Sequence, residues 1–389
     1  MRNNEFLSNE RLSGAISDIH KILSRNIIKF IDSKPTPFTD ANGIYNYSDE
    51  ENVFESWYYG FWVGLFWLAY EVTGAENFRC YAQAGTKKIL ESVEKRAISH
   101  SDVGLMCFPS CVASYKLTGN EAARKGIIFA SNSLMFKYKK GANMIFESEN
   151  ETVNHRESIK ISDLINLSLL YTSYEFTNNL EYFETAMKNI ELITKYCVSS
   201  DTIFFRYYFN TETGMPLFGA MNPIDNKYLV DSAMRANAWA IFGLAVNYAK
   251  TKNSVLLEKY MQVVNDFITK LPSDYICRYG MGENTVFDTL SSLIAVCGIM
   301  EMANNSTLDV MKEHYDCACK ILNSLIINCA AAPEDEGESF LKYGIASFVM
   351  NRNVRDSGNN CGESSIQADY FYFEACMRAL GNWKSYWTY

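Results

Sequence analysis

The chain has 389 residues, a formal net charge of −9 at pH 7 and a sequence pI of about 5.2. Nucleic acid is not an expected partner, because binding to its phosphate backbone depends on basic surface patches. With 48% hydrophobic residues the chain has enough apolar side chains for a large core. No apolar run reaches the roughly 20 residues of a membrane span, so no membrane association is predicted.

Cysteine usage and the first residues predict the compartment. The eleven cysteines form no Cys-x-x-Cys pair, which favours free buried thiols in a reducing environment over a metal site. Residues 1–7 lack the apolar segment of a secretory signal, so we expect a cytoplasmic protein. The sequence also has no P-loop and no dinucleotide fingerprint, and we predict neither a metal nor a cofactor.

The first predicted elements are helices. An amphipathic helix is expected over residues 8–33, followed by a polar loop. Ser56 and Gly74 then bracket an almost wholly apolar segment, as an N-cap and a left-handed stop would. A helix that is apolar on all sides is surrounded by protein on most of them.

Pairs of helices recur along the rest of the chain. First members are expected near residues 57–73, 103–118, 163–177, 232–250, 288–303 and 369–380. Second members are expected near residues 76–97, 120–138, 180–198, 254–270 and 307–328. Such repeats predict stacked helical hairpins, as an open solenoid or a closed ring. Because prolines are few and no linker is visible, we predict one domain over residues 1–389.

Longer insertions separate the pairs and share one face. They span residues 139–162, 199–231, 271–287 and 330–368. Insertions on one face are usual for a binding face.

An aspartate stands at the predicted start of each later first member. These residues are Asp102, Asp163, Asp231, Asp288 and Asp369. Taken singly, each is best explained as an N-cap. In a closed ring, however, the helix starts would converge at one mouth and surround it with carboxylates. Carboxylate pairs are the usual catalysts of glycosidic chemistry.

Several stretches resemble a known family. Ser56-Trp57-x-x-Gly60-Phe61-Trp62-x-Gly64 is similar to the opening motif of the unsaturated glucuronyl hydrolases, glycoside hydrolase family 88. Further stretches resemble that family's motifs in the same order: residues 100–105, 161–170, 235–239, 288–302 and 369–374. The likeness extends from about residue 50 to residue 380.

The resemblance implies an all-α fold, an (α/α)6 barrel of six helical hairpins. It also implies a hydrolase that removes a 4,5-unsaturated uronic acid from the non-reducing end of lyase-generated oligosaccharides. By motif, Asp163 would protonate C4 and assist water at C5, and Asp102 would be the second essential carboxylate. The expected partner is therefore an anionic unsaturated disaccharide.

The same motifs suggest substrate contacts. Asn166, one turn after Asp163, would orient that carboxylate, and Arg235 would meet the substrate carboxylate or hydroxyls. A salt bridge from Arg235 to Asp231 is an equally simple role. Asn237 stands where the family has Gln.

Tryptophans would supply the sugar-stacking surfaces. Trp57, Trp62 and Trp239 are predicted to stack on sugar faces, whereas Trp67 is expected in the core.

Two departures from the family pattern bear on specificity. A His-Gln-Gly element is replaced by Met-Asn-Pro at residues 221–223. The Ser-x-x-Ser-Gly-Lys element reads Val-Arg-Asp-Ser-Gly-Asn at residues 354–359 and keeps Ser357. Arg352 and Arg355 are the candidate replacement cations. We therefore expect unsulfated disaccharides to be preferred. The alternatives are an unsaturated rhamnogalacturonyl hydrolase, another carboxylate-dependent glycosidase on the same barrel, or a binding protein without activity.

Overall fold

The computed structural model describes residues 4–31, 34–48, 56–95, 102–139, 143–146, 156–200, 202–210, 213–220, 233–279, 286–343, 363–381 and 383–388. Its helices are α1 (Asn9–Ile31), α2 (Trp57–Thr73), α3 (Glu76–Glu94), α4 (Val103–Cys107), α5 (Ala113–Thr118), α6 (Glu121–Phe136), α7 (Asp163–Asn166), α8 (Leu169–Thr177), α9 (Leu180–Cys197), α10 (Ala233–Thr251), α11 (Ser254–Thr269), α12 (Thr289–Asn305), α13 (Val310–Asn328) and α14 (Ile366–Leu380). A π-helical turn, Phe108–Val112, joins α4 to α5.

Short strands lie between the helices. They are β1 (Pro35–Thr39), β2 (Tyr45–Tyr47), β3 (Tyr138–Lys139), β4 (Met144–Ile145), β5 (Arg156–Lys160), β6 (Arg206–Asn210), β7 (Pro216–Ala220), β8 (Arg278–Tyr279) and β9 (Val286–Phe287).

Three of the helices end in the same way, at a residue in the left-handed conformation. Gly74 follows α2 in the left-handed conformation, with φ of 66°, and its N–H donates to the Tyr70 carbonyl at 2.7 Å. Gly119 ends α5 and Asn178 ends α8 with the same geometry. Since glycine and asparagine tolerate positive φ, these residues set where each helix ends and the chain reverses.

The helices form a closed double ring. On the inside, α2, α4, α7, α10, α12 and α14 contact one another in that order, and α14 returns to contact α2. The helices α1, α3, α6, α9, α11 and α13 form the outer layer. The predicted (α/α)6 barrel is confirmed, and the open solenoid is excluded. The inner position of α12 explains why its sequence is mostly apolar, since it is buried from Thr289 to Ala303.

The described strands all lie in connections from an outer helix to the next inner helix. They form a three-stranded antiparallel sheet, β5-β6-β7, and the two-stranded pairs β1-β2, β3-β4 and β8-β9. The sequence pattern did not predict them. Because these connections enter the inner helices at their N-terminal ends, the strands gather around one end of the barrel, which we call the mouth.

The other end of the barrel carries a ring of charges that alternate in sign. Its members are Glu71 in α2, Lys116 in α5, Glu175 in α8, Lys250 in α10, Glu301 in α12 and Arg378 in α14. Lys250 pairs with Glu175 at 2.8 Å, and Arg378 pairs with Glu301 at 2.6 Å. Burial lowers the pKa of Lys116 to about 8, and the nearby Lys250 ammonium contributes to the shift.

The C-terminal segment, residues 383–388, closes this end. Trp383 Nε1 donates to Glu71 Oε2 at 2.9 Å, and Trp387 Nε1 donates to Glu374 Oε2 at 2.8 Å. The segment thus bridges α2 and α14, the two helices whose contact completes the ring. Across the described residues, no helix has both the length and the apolar character needed to cross a membrane.

Candidate active site

The two aspartates that the sequence singled out lie close together at the mouth. Asp102 directly precedes α4, and Asp163 is the first residue of the neighbouring α7. The Asn166 amide donates to Asp102 Oδ1 at 2.9 Å and to Asp163 Oδ1 at 3.2 Å. These two oxygens are therefore no farther apart than the sum of those distances, about 6.1 Å. The two carboxylates therefore lie side by side at the mouth.

The position of Asn166 is fixed by its surroundings. Its side chain is fully buried, and its Oδ1 accepts a hydrogen bond from the Leu105 backbone N–H at 2.9 Å. A Cβ atom at Gly104 would lie 2.4 Å from the Asn166 carbonyl oxygen, so only glycine allows α4 to approach α7 this closely. The amide therefore has its oxygen committed to α4 and its nitrogen to the two carboxylates.

Lys160 is a member of this cluster that the sequence analysis missed. Its ammonium lies 2.9 and 3.0 Å from the two carboxylate oxygens of Asp102, and its side chain is only 7% exposed. Its backbone N–H donates to Asp163 Oδ2 at 2.8 Å. The hint in the sequence is its place three residues before Asp163. A strand that ends in lysine carries no motif of its own.

Aromatic rings from several inner segments fill the barrel interior. We call this group the aromatic floor; it consists of Phe61, Phe108, Phe242, Phe371 and Trp387. Trp387 stacks on Phe371 with 6.0 Å between ring centroids and an interplanar angle of 11°. Its ring also lies 5.2 Å from both Phe108 and Phe242. The floor joins residues from α2, the π turn, α10, α14 and the C-terminal segment.

Two of the predicted sugar-stacking tryptophans border this floor. Trp57 starts α2 and meets Phe61 edge-on at 6.1 Å, and Trp239 in α10 meets Phe371 edge-on at 6.1 Å. Trp57 is half-buried and Trp239 is 6% exposed.

The other two tryptophans of the opening helix point away from the interior. Trp62 is buried between Phe30 of the outer helix α1 and Tyr45 of β2, with centroid distances of 4.6 and 5.4 Å. The structure therefore does not bring Trp62 to the carboxylates. Trp67 is buried, and its indole N–H donates to Thr86 of α3 at 3.1 Å, which confirms its expected place in the core.

Arg235 is held at the mouth by the start of α12. Its Nε donates to Ser291 Oγ at 2.6 Å and to Asp288 Oδ2 at 3.3 Å. Asp288 also accepts from the Ser291 backbone N–H at 2.9 Å, so its predicted capping role is confirmed. Arg235 thus has partners at the start of a neighbouring inner helix. Asp231, its predicted salt-bridge partner, lies outside the described residues.

Asn237 is not part of the group around the two carboxylates. The Asn237 amide donates to Asp266 of the outer helix α11 at 3.0 Å, which turns it away from the interior. Arg355 and Ser357 lie outside the described residues. Asp369 does not open α14, because that helix starts at Ile366 after a Ser365 cap.

Asp369 occupies a separate buried site. It accepts hydrogen bonds from Tyr45 Oη at 2.6 Å and from the Leu341 backbone N–H at 3.2 Å. Desolvation by burial raises the pKa of this carboxyl to about 7. Its contacts tie β2 to the start of α14.

Comparison with known proteins gives consistent relatives. A protein of Streptococcus agalactiae serotype III, strain NEM316, named unsaturated chondroitin disaccharide hydrolase, is 30% identical over 394 residues, which cover 99% of this chain and 95% of that protein. The crystal structure of unsaturated glucuronyl hydrolase from Streptococcus agalactiae superposes with a TM-score of 0.86 at 30% identity, covering 98% of this chain and 94% of that one. An aspartate-to-asparagine variant of that enzyme, complexed with dGlcA-GalNAc6S, superposes with a TM-score of 0.81 at 30% identity, covering 99% and 95%. No protein-family profile matches the chain.

Proposed function

Because this chain belongs to the unsaturated glucuronyl hydrolase family, we propose that it removes a 4,5-unsaturated uronic acid from the non-reducing end of unsaturated disaccharides. The observation that carries the proposal is the pair of carboxylates, Asp102 and Asp163, that share the amide of Asn166 at the barrel mouth. Two carboxylates of one site can divide the tasks of proton transfer and charge stabilisation.

In the proposed reaction, water adds across the C4=C5 double bond of the sugar. The Asp163 carboxyl group gives its proton to C4, and the resulting carboxylate takes a proton from the water that bonds to C5. The product is a hemiketal at C5. It opens to a ketone, and the hemiacetal left at C1 expels the rest of the substrate as an alcohol. No net proton is consumed, since Asp163 regains the one that it gave.

The surroundings of the two carboxylates support this division of roles. Asp102 faces the Lys160 ammonium at 2.9 Å, so its negative charge is compensated within the site. Asp163 is 5% exposed and receives hydrogen bonds from the Lys160 backbone N–H and the Asn166 amide, which fix both of its oxygens. A fixed carboxyl group is what a directed proton transfer to one carbon requires.

The substrate would enter above the aromatic floor. We propose that Trp57 and Trp239, which border the floor, contact the faces of the sugar rings. Arg235 would meet the substrate carboxylate. Its guanidinium is oriented by Asp288 and Ser291, and its side chain remains 21% exposed. Trp62 and Asn237 have no proposed contact, because each is directed toward the outer layer.

A panel of lyase-generated unsaturated disaccharides tests the proposal. Turnover removes the near-ultraviolet absorbance of the C4=C5 uronate, so the loss of absorbance measures the rate for each substrate. We expect turnover by the natural chain and loss of turnover in Asp163→Asn. A folded natural chain that turned over no member of the panel would contradict the proposal.

Disaccharides with and without a sulfate on the second sugar test the predicted substrate preference. We expect faster turnover of unsulfated disaccharides, because the Lys of the C-terminal motif is replaced by Asn359. Loss of a charged hydrogen-bond partner typically costs about 1.5–3 kcal/mol, or roughly ten-fold or more in kcat/KM. Faster turnover of sulfated disaccharides would contradict this and would point to Arg352 or Arg355 as the replacement cation.

We also propose that the protein works in the cytoplasm. All ten cysteines among the described residues are free thiols, and nine of them are buried. Burial raises the pKa of thiols such as Cys277 and Cys376, which keeps them protonated. Alkylation of the denatured protein, taken from its own cells without reductant, should modify all eleven cysteines. A disulfide found by mass spectrometry would contradict this localisation.

Finally, we propose that residues 1–389 act as one catalytic domain. The contact of α14 and residues 383–388 with α2 supports this, because it joins the last inner helix to the first one in the same ring. Limited proteolysis should therefore release no fragment that keeps its fold. A stable, folded fragment would contradict the proposal.

A further inference from the structure

We propose that Lys160 is a positioning residue of the reaction, which holds Asp102 through its ammonium and Asp163 through its backbone N–H. The inference deepens the proposed function and rests on it, because it assigns a task to a residue beside the two proposed catalytic carboxylates. Neither the motifs of the sequence nor the named relatives point to this lysine.

The contacts of Lys160 reach both carboxylates at once. Its Nζ lies almost equally far from the two oxygens of Asp102, at 2.9 and 3.0 Å, so the cation faces the carboxylate as a whole. Its backbone N–H donates to Asp163 Oδ2 at 2.8 Å. A movement of this residue would therefore displace Asp102 and Asp163 relative to each other.

The backbone of Lys160 is itself held in place. It ends β5, where it is paired with Arg206 of β6 in the antiparallel register. One residue later the Ile161 N–H donates to the Phe205 carbonyl at 3.0 Å. The sheet that borders the mouth thus acts as the support from which Lys160 places the carboxylates. This gives a role to the three-stranded sheet that the helical repeat did not predict.

Asp102 and Asp163 have different electrostatic surroundings. The ammonium of Lys160 compensates the charge of Asp102, whereas Asp163 receives hydrogen bonds from a backbone N–H and an amide. In the proposed reaction Asp163 is the group that gives its proton to C4. Among the described residues, the thiol of Cys197 in α9 also lies near Asp163. Burial raises the pKa of this thiol, so it stays neutral and adds no competing charge.

The test compares Lys160→Met with Lys160→Arg. Misplacement of a reacting group by about 1 Å can cost roughly 10²-fold in rate, so we expect Lys160→Met to lose about that much in kcat with KM little changed. An opposite charge at this distance typically shifts carboxyl titration by about 1–3 units, so the acidic limb of the kcat/KM profile should move to higher pH by that amount. Lys160→Arg keeps the cation and should restore the acidic limb.

Lys250→Met is the matched control. Lys250 is also a buried lysine, 8% exposed, and pairs with Glu175 at 2.8 Å at the opposite end of the barrel. We expect it to lower the melting temperature to a similar extent while leaving kcat and the pH profile unchanged. An equal loss of kcat in Lys250→Met would overturn the inference, because general destabilisation would then explain both variants.

Two other results would overturn it. If a folded Lys160→Met variant kept the natural kcat and the natural acidic limb of the kcat/KM profile, Lys160 would not position the carboxylates. A rise in KM alone would show instead that Lys160 binds the substrate carboxylate.

A measurement without substrate separates this inference from the proposed function. The chain is labelled with ¹³C at the aspartate carboxyl carbons, and the Asp102 signal is identified by its loss in Asp102→Asn. Its titration midpoint should rise in Lys160→Met. An unchanged midpoint would overturn the inference even if the enzyme is active. A raised midpoint would support it even if no disaccharide of the panel is turned over.

Discussion

Asp163→Asn replaces one carboxylate oxygen with an NH₂ group. The neighbouring hydrogen-bond donors determine what this substitution costs. From the described residues, Asp163 accepts hydrogen bonds from the Lys160 backbone N–H and from the Asn166 amide. An asparagine can accept only one of them and presents a donor to the other. Asn166 cannot turn to compensate, because its oxygen is bonded to the Leu105 N–H and its nitrogen to Asp102.

The expected cost in stability is therefore moderate. One buried donor loses its acceptor, which typically costs about 1–3 kcal/mol. With an unfolding entropy of about 2.1 cal/mol/K per residue, a chain of 389 residues has about 0.8 kcal/mol/K. The melting temperature should fall by about 1–4 °C, which leaves the enzyme folded at room temperature.

The expected cost in activity is much larger. Loss of a general acid typically lowers the rate by about 10²- to 10⁴-fold, and a group that serves both proton transfers should lie at or beyond the upper end. Asp102→Asn should also be severe. The double variant should be little slower than Asp163→Asn, because residues that act as one unit are not additive.

The assay measures kcat/KM on one good unsaturated disaccharide together with the melting temperature. Glu175→Gln, the same chemical change at the opposite end of the barrel, is the matched control, and we expect it to keep its activity. Near-normal turnover by folded Asp163→Asn would refute the assignment. A fall in melting temperature of more than 10 °C would refute the account of the hydrogen bonds.

Three further predictions concern Asp369, the tryptophans and Asn237. With the pKa of Asp369 raised to about 7, the folded state keeps a proton that the unfolded state releases near pH 4, so the free energy of unfolding should decline as the pH rises from about 4 to 7. Asp369→Asn should flatten this part of the curve in denaturant titrations, and an equal slope in both proteins would contradict the prediction. Trp57→Ala should raise KM, whereas Trp62→Phe should lower the melting temperature at constant KM; the reverse result would return Trp62 to the site. Asn237→Ala should cost about 1 kcal/mol of stability without changing KM, since it loses one hydrogen bond to the outer layer; a higher KM would show a substrate contact instead.

The fold was predictable because its signals are local and repeated. The left-handed stop at Gly74 marks the end of α2, and the apolar character of α2 marks a helix with protein on most sides. The strands were not predictable, because segments as short as β8 and β9 are formed by pairing across a connection and have no periodicity of their own.

The sequence predicted only those members of the candidate site that belong to the start of a predicted helix. The helix starts indicated five aspartates, and the family resemblance singled out Asp102 and Asp163 among them. Asn166 follows from its spacing to Asp163, and the three residues do lie together. Lys160 reaches Asp102 across 58 positions of sequence, which no spacing rule reveals. Trp62 stands in the same apolar helix as Trp57, and only the packing against α1 shows that it faces the other way.

The contact between α2 and the C-terminal segment has a consequence for synthesis on the ribosome. Trp383 and Glu71, which meet in the finished barrel, are 312 positions apart. The last inner helix therefore leaves the ribosome after the other five, and until then the face of α2 around Phe61 and Gly64 lacks its contact with Tyr370. Contacts of such long range also form slowly. The nascent chain thus carries an open apolar seam for nearly its whole synthesis, which makes it a substrate for chaperones that bind growing chains.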